Sequence, residues 1–146
     1  MKYALSEILD ETNTLWGTPK KVNYLRENRS VQLLDLLDFT FNPRIKWLVS
    51  YDIEYNESVD SHFRLRTRLY TEMRKMMNFT NLGPYSHLKQ EKLDSLFRTV
   101  LETIYPEDAK MLQHIVKFRE LPQSKVTQKI IIEAFPEFGD HWKIIE

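Results

Sequence analysis

Apolar residues crowd between Ser30 and Leu48, SVQLLDLLDFTFNPRIKWL, and the rest of the chain reads as helices arranged around that stretch. Leu33, Leu34, Leu37 and Phe41 recur at helical spacing and share one face, which Leu36 widens. Asp35 and Asp38 sit away from its centre. A helix apolar over so much of its girth belongs in the middle of a domain, covered on more than one side. Ser30 is its predicted N-cap. Asn42-Pro43 then reads as a restart, with Asn42 capping and Pro43 at the first helical position, where a missing N–H costs nothing. Ile45, Trp47 and Leu48 carry apolar content into that second piece.

Before this centre, residues 3–13 suit a helix with Tyr3, Leu5, Ile8 and Leu9 inside and Glu7, Asp10 and Glu11 outside. Thr18-Pro19 is another cap-plus-proline start, opening a helix from Lys20 to Glu27 that closes at Asn28. Val22 and Leu25 face its core side, Lys20, Lys21, Arg26 and Glu27 its solvent side. Residues 49–61 have no clear period and read as a loop, although YDIEY alternates enough for a short strand. From Ser61 to Phe79 a helix is expected with Leu65, Leu69, Met73, Met76 and Met77 on its apolar side. Arg66 falls inside that arc, so either the helix begins after it or Arg66 is paired. Asn81-Leu82-Gly83-Pro84 is a turn. The clearest stripe follows from about Lys89 to Tyr105, through Leu93, Leu96, Phe97, Val100, Leu101 and Ile104. Pro106 opens a helix with core residues Met111, Leu112, Ile115, Val116 and Phe118, and Leu121-Pro122 breaks it. Ser124 is the predicted cap of a last helix through Val126, Ile130, Ile131, Ala134 and Phe135, ended by Pro136. The tail docks through Trp142 and Ile145. The pattern predicts a single all-α domain of seven or eight short helices over residues 1–146.

Composition narrows the chemistry. Lys plus Arg equals Asp plus Glu at 21 each, so the formal net charge is zero and a strongly electrostatic binder is disfavoured unless charge is locally sorted. The absence of cysteine removes disulfides, thiolate zinc sites and cysteine nucleophiles. Acidic residues come too early for a signal peptide and no apolar run approaches membrane length, so a soluble, cytoplasmic protein without a membrane partner is expected. Three glycines cannot assemble a phosphate-cradling loop. His62, His87, His114 and His141 show no ligand spacing, and the pairs Asp10-Glu11 and Asp35/Asp38 fall on polar faces. No metal, cofactor or catalytic residue is expected. The fragment Glu91-Lys92-Leu93-Asp94-Ser95 has the look of a nucleotidyltransferase nucleophile motif, but Ser95 stands where that motif needs glycine and the fragment opens an amphipathic helix.

Charge is sorted in one place. Asp52, Glu54, Glu57 and Asp60 make the 49–61 segment acidic, and Arg64, Arg66, Arg68, Arg74 and Lys75 against Glu72 make the next one basic. Helical spacing aligns Arg64, Arg68, Thr71 and Lys75. This face is the candidate phosphate-contacting surface, with Lys20, Lys21, Arg44, Lys46, Lys125 and Lys129 as extensions if the fold gathers them. Tyr3, Trp16, Tyr24, Phe39, Phe41 and Trp47 read as core aromatics rather than base-stacking platforms.

The stretch AKMLQHIVKFRELPQSKVTQKIIIEAFPEF, Ala109 to Phe138, resembles the end of the N-terminal DNA-binding domain of phage-type ATP-dependent DNA ligases. Arg119-Glu120-Leu121 matches a turn closing one helix, Ser124 the cap of the next, and Phe135-Pro136 its end. LSEILDE and TPKKVNYLRENRSVQLLDLLDFTFNPRIKWL are similar to that domain's opening. Pro122-Gln123, Ile132-Glu133 and Glu137 depart from the pattern, the first replacing a glycine before the capping serine. The resemblance implies an all-α DNA-engaging module detached from any catalytic domain. That would be a small, non-enzymatic phage accessory binding duplex DNA or a replication or repair protein in the infected cell. The alternative is a protein-interaction module that engages and modulates a host protein.

Overall fold

The computed structural model describes residues 2–60 and 62–143. Among them the architecture is all-α, without strands. In chain order the helices are α1 (Leu5–Thr14), α2 (Thr18–Glu27), α3 (Val31–Phe41), α4 (His62–Leu65), α5 (Arg68–Glu72), α6 (Gln90–Thr103), α7 (Pro106–Phe118), α8 (Gln128–Ala134) and α9 (Phe138–His141). Met73–Phe79 and Pro84–His87 wind as tighter 3-10 turns. No helix among the described residues is long and apolar enough to cross a membrane.

Helix α3 is central, as its girth of apolar side chains predicts. Ser30 caps it by accepting the Leu33 N–H at 3.0 Å, and Leu33, Leu36 and Leu37 are wholly buried. Phe39 meets Trp47, which reaches Phe97 of α6. Phe41 packs on Trp142, itself stacked on Phe138 of α9. The tail therefore docks through Trp142, while Ile145 lies outside the described residues.

The expected restart at Asn42-Pro43 is absent. Asn42 ends α3 in extended backbone, the conformation a following proline favours. Residues 43–50 then pair with the end of the Met73–Phe79 turn, Leu48 N–H donating to the Phe79 carbonyl at 2.8 Å and Asn81 N–H to the Lys46 carbonyl at 2.9 Å. The guanidinium of Arg119 donates to the carbonyls of Thr40, Asn42 and Ile45, replacing helix hydrogen bonds with side-chain ones. Arg119 is itself left-handed at φ 55°, ending α7 where glycine is usual.

Other boundaries also move. Gly17, at φ 89°, precedes α2, so Thr18 is inside the helix rather than capping it. Thr127, not Ser124, caps α8 by accepting the Ile130 N–H. The helix expected over 61–79 is broken at Arg66-Thr67, and Arg66 pairs with Glu7 at 3.4 Å. Residues 51–60 form no strand. Ile53 is buried, its carbonyl accepting from Gln113, and the Glu54 carbonyl accepts from Arg98, so the acidic loop is strapped across α6 and α7.

Candidate functional site

Eight of the nine cations singled out by charge patterning fall into three settings, and Lys21 stands apart from them. In the first, α5 carries Arg68 and the following turn Lys75, and between them Glu72 is only 5% exposed. Lys75 Nζ lies 2.9 Å and Arg68 Nε 3.6 Å from its two oxygens. Burying a carboxylate requires paired charge, so both cations are directed at Glu72 and not outward alone. Arg64 is exposed, with no ion-pair partner among the described residues. A groove of about 420 Å³ runs beside them, walled by Arg68, Glu72, Lys75, Tyr85, Leu96 and Val100.

The second setting is structural. Arg44 donates to the carbonyls of His141 at 2.7 Å and Lys143 at 3.2 Å, latching the C-terminal turn to the chain after α3. Lys46 is exposed, while its backbone serves the pairing with Asn81.

The third setting gathers cations from distant parts of the chain. Helices α2 and α8 lie side by side and run the same way. Arg26 near the end of α2 donates to the carbonyls of Ala134 and Glu133 near the end of α8, at 3.0 and 2.8 Å. At the opposite end the Lys125 N–H donates to Asn13 Oδ1 at 2.8 Å, joining the segment before α8 to the turn between α1 and α2. Lys20, Lys125 and Lys129 are exposed in this region. Among the described residues none of the three has an acidic partner within ion-pair distance.

Lys21 corrects the expectation that it faces solvent. It is 6% exposed, and its ammonium donates to the carbonyls of Thr12 at 2.9 Å, Asn13 at 3.1 Å and Leu15 at 2.6 Å. A positive charge there satisfies carbonyls left unpaired at the end of α1 and complements the negative end of that helix. Burial, and then the neighbouring Lys125, lower its pKa from the ordinary lysine value. It cannot contact a phosphate. What it does is pin the turn.

That pinned turn presents Trp16, 88% exposed, where the sequence reading put it in the core. Tyr3, also expected inside, is 53% exposed, while Phe39 is buried and Tyr24, Phe41 and Trp47 are half-buried. An indole left in water forgoes about 2 kcal/mol of burial. On a turn fixed by three hydrogen bonds it has no route inward. The adjacent Gly17 and the Thr18-Pro19 start were the sequence signals for a break at this point. Nothing in the periodicity distinguished Lys21 from Lys20.

Asp108 is a second position that pattern reading missed. It is wholly buried in the first turn of α7, and its Oδ1 accepts the Ser6 N–H at 2.9 Å. It thereby supplies, from 102 residues away, a cap that Ala4 at the start of α1 has no side chain to provide. Burial pushes its carboxyl up to about 7, bonds from Ser6 oppose the rise, and Glu7 and Asp10 add repulsion. No group of three or more His, Asp or Glu among the described residues could hold a metal ion. Compared with protein-family profiles, with curated proteins and with solved structures, the chain finds no match.

Proposed function

We propose that the protein is a non-enzymatic accessory that binds duplex DNA, without reading its sequence, through the face formed by Trp16, Lys20, Lys125 and Lys129. One observation carries the reading: an almost fully exposed indole sits on a turn that the buried Lys21 pins and the Lys125 backbone joins, and Lys20, Lys125 and Lys129 have no acidic partner among the described residues. Lysines of this kind neutralise phosphates and release their counterions. The indole adds a flat apolar contact of the sort that lies against sugars and base faces. The Arg64, Arg68 and Lys75 face is the weaker candidate because Glu72 holds two of its three charges.

A second reading, a protein-interaction module, is supported by the groove between α5 and α6, whose rim carries both signs of charge over the apolar side chains of Leu96 and Val100. A random-sequence duplex, titrated at several salt concentrations and followed by tryptophan fluorescence, separates the two. DNA binding predicts quenching of Trp16 and an affinity that falls with salt at a slope of about −2 to −3, one phosphate per lysine. No binding at ~50 mM salt would sink the DNA reading and leave the groove.

A further inference from the structure

A second cleft, of about 320 Å³, opens between α1 and α7 and is closed by Pro122-Gln123. Its chemistry is opposite to that of the lysine face. Gln123 is 5% exposed, and its amide nitrogen donates to Asp10 Oδ1 at 2.8 Å. A carboxylate at neutral pH only accepts, so this bond fixes the amide's orientation and leaves Gln123 Oε1 as an acceptor. That oxygen is buried and has no donor. Ser6, 2% exposed, also lines the cleft. His114 Nε2 is a second unpartnered atom, 3.9 Å from the nearest Glu120 oxygen and so beyond hydrogen-bond reach.

The lysine in the lining does not answer these acceptors. Lys110 is drawn to the rim, 3.2 Å from Glu107 and 3.7 Å from Glu57. Asp10, by contrast, has no cationic partner among the described residues. Met111 and Pro122 supply apolar wall. A buried acceptor without a donor costs on the order of 1–3 kcal/mol, and an N–H-rich cation placed here would remove that cost while neutralising Asp10.

We propose that this cleft binds an alkylguanidinium or alkylammonium group, its N–H donors on Asp10 and, with a small opening of the Pro122-Gln123 wall, on the buried Gln123 Oε1, and its alkyl stem against Met111 and Pro122. Such a group is carried by a free small amine or by an arginine or lysine of a partner protein. The site is independent of the lysine face, so either can fail without the other.

The test is a 1H–15N NMR titration of the full chain with n-butylguanidinium, with n-butylurea as its uncharged isostere, and with the blocked peptide acetyl-Gly-Arg-Gly-amide. We expect saturable shifts of the Gln123 side-chain amide with the guanidinium and none with the urea. Asp10→Asn, which still accepts from Gln123, should weaken binding roughly tenfold or more through loss of a charge-assisted bond. Gln123→Met, followed through the backbone amides of Asp10 and His114, is the second variant should the first lose its fold, and it should also weaken binding several-fold. Saturation by butylguanidinium alone assigns a free small cation, and saturation by the peptide assigns a partner's side chain. Shifts that remain linear in concentration, that the urea reproduces, or that Asp10→Asn leaves unchanged overturn the proposal.

Discussion

Lys21 shows how one side chain decides what a neighbouring residue can do. Its ammonium closes the end of α1 and holds the turn from which Trp16 projects. Lys21→Met keeps the length of the side chain and removes all three donors. We expect a loss of about 2–4 kcal/mol in urea denaturation, since one buried and two part-buried carbonyls lose a charged partner. An unchanged midpoint would mean that the turn stands without it. Asp108 makes a pH-dependent contribution whose sign follows from its raised pKa. The native state holds a proton that the unfolded chain releases, so stability from this group falls as pH rises from about 4 through about 7. Asp108→Asn retains an oxygen for the Ser6 N–H and cannot ionise. The variant should therefore gain on the wild type by a few kcal/mol between about pH 4 and pH 8, read as diverging urea midpoints. A gap constant with pH would show that Asp108 titrates alike in both states. Neither residue stands out in the sequence, because a lysine on a polar face and an aspartate in a first helical turn are ordinary.

At the scale of elements, local signals located the helices that carry their own caps and stripes. Ser30, the Lys89–Tyr105 stripe and Pro106 mark α3, α6 and α7 to within a residue or two. They did not reveal where the chain trades helix for other hydrogen bonds. Around Asn42 the carbonyls of Thr40, Asn42 and Ile45 are taken by Arg119, more than 70 residues on, and no local pattern encodes that. Arg119 holds a left-handed backbone that glycine would adopt without strain. Arg119→Ala should lose both the latch and the fit, costing about 2–4 kcal/mol and speeding hydrogen exchange across residues 42–50. Arg119→Gly should be about 1 kcal/mol more stable than the alanine variant, because only the latch is lost. Equal stabilities would mean that the backbone there relaxes. Gly83 is a contrasting case. Its backbone is not left-handed, yet a Cβ would collide with the Met77 carbonyl and Asn78, so the turn depends on close approach rather than on conformation.

Across the whole molecule the chain's zero net charge hides a sorting that only folding produces. Packing of α2 against α8 brings the two helices that carry Lys20 and Lys129 together, with Lys125 tied to the turn before α2, whereas Glu72 draws Arg68 and Lys75 toward itself. The triple variant Lys20→Ala/Lys125→Ala/Lys129→Ala changes exposed side chains without partners, so it should alter stability by no more than about 1 kcal/mol in total. It should also flatten the salt dependence of duplex binding. A triple variant that binds duplex as before, with the same slope, would remove this face from consideration. What the sequence by itself determined was the helical class, the central place of α3 and most of the core, because apolar periodicity and caps act over a few residues and are written where they act. Tertiary structure alone decided which lysines meet solvent, which turn exposes Trp16, and which buried acceptors in the α1–α7 cleft lack donors. The burial of Lys21 and the exposure of Trp16 follow from bonds across the α1–α2 turn, 6 to 9 positions apart, whereas the cleft and the Lys125 end depend on contacts 113 and 112 positions apart, set by how helices pack.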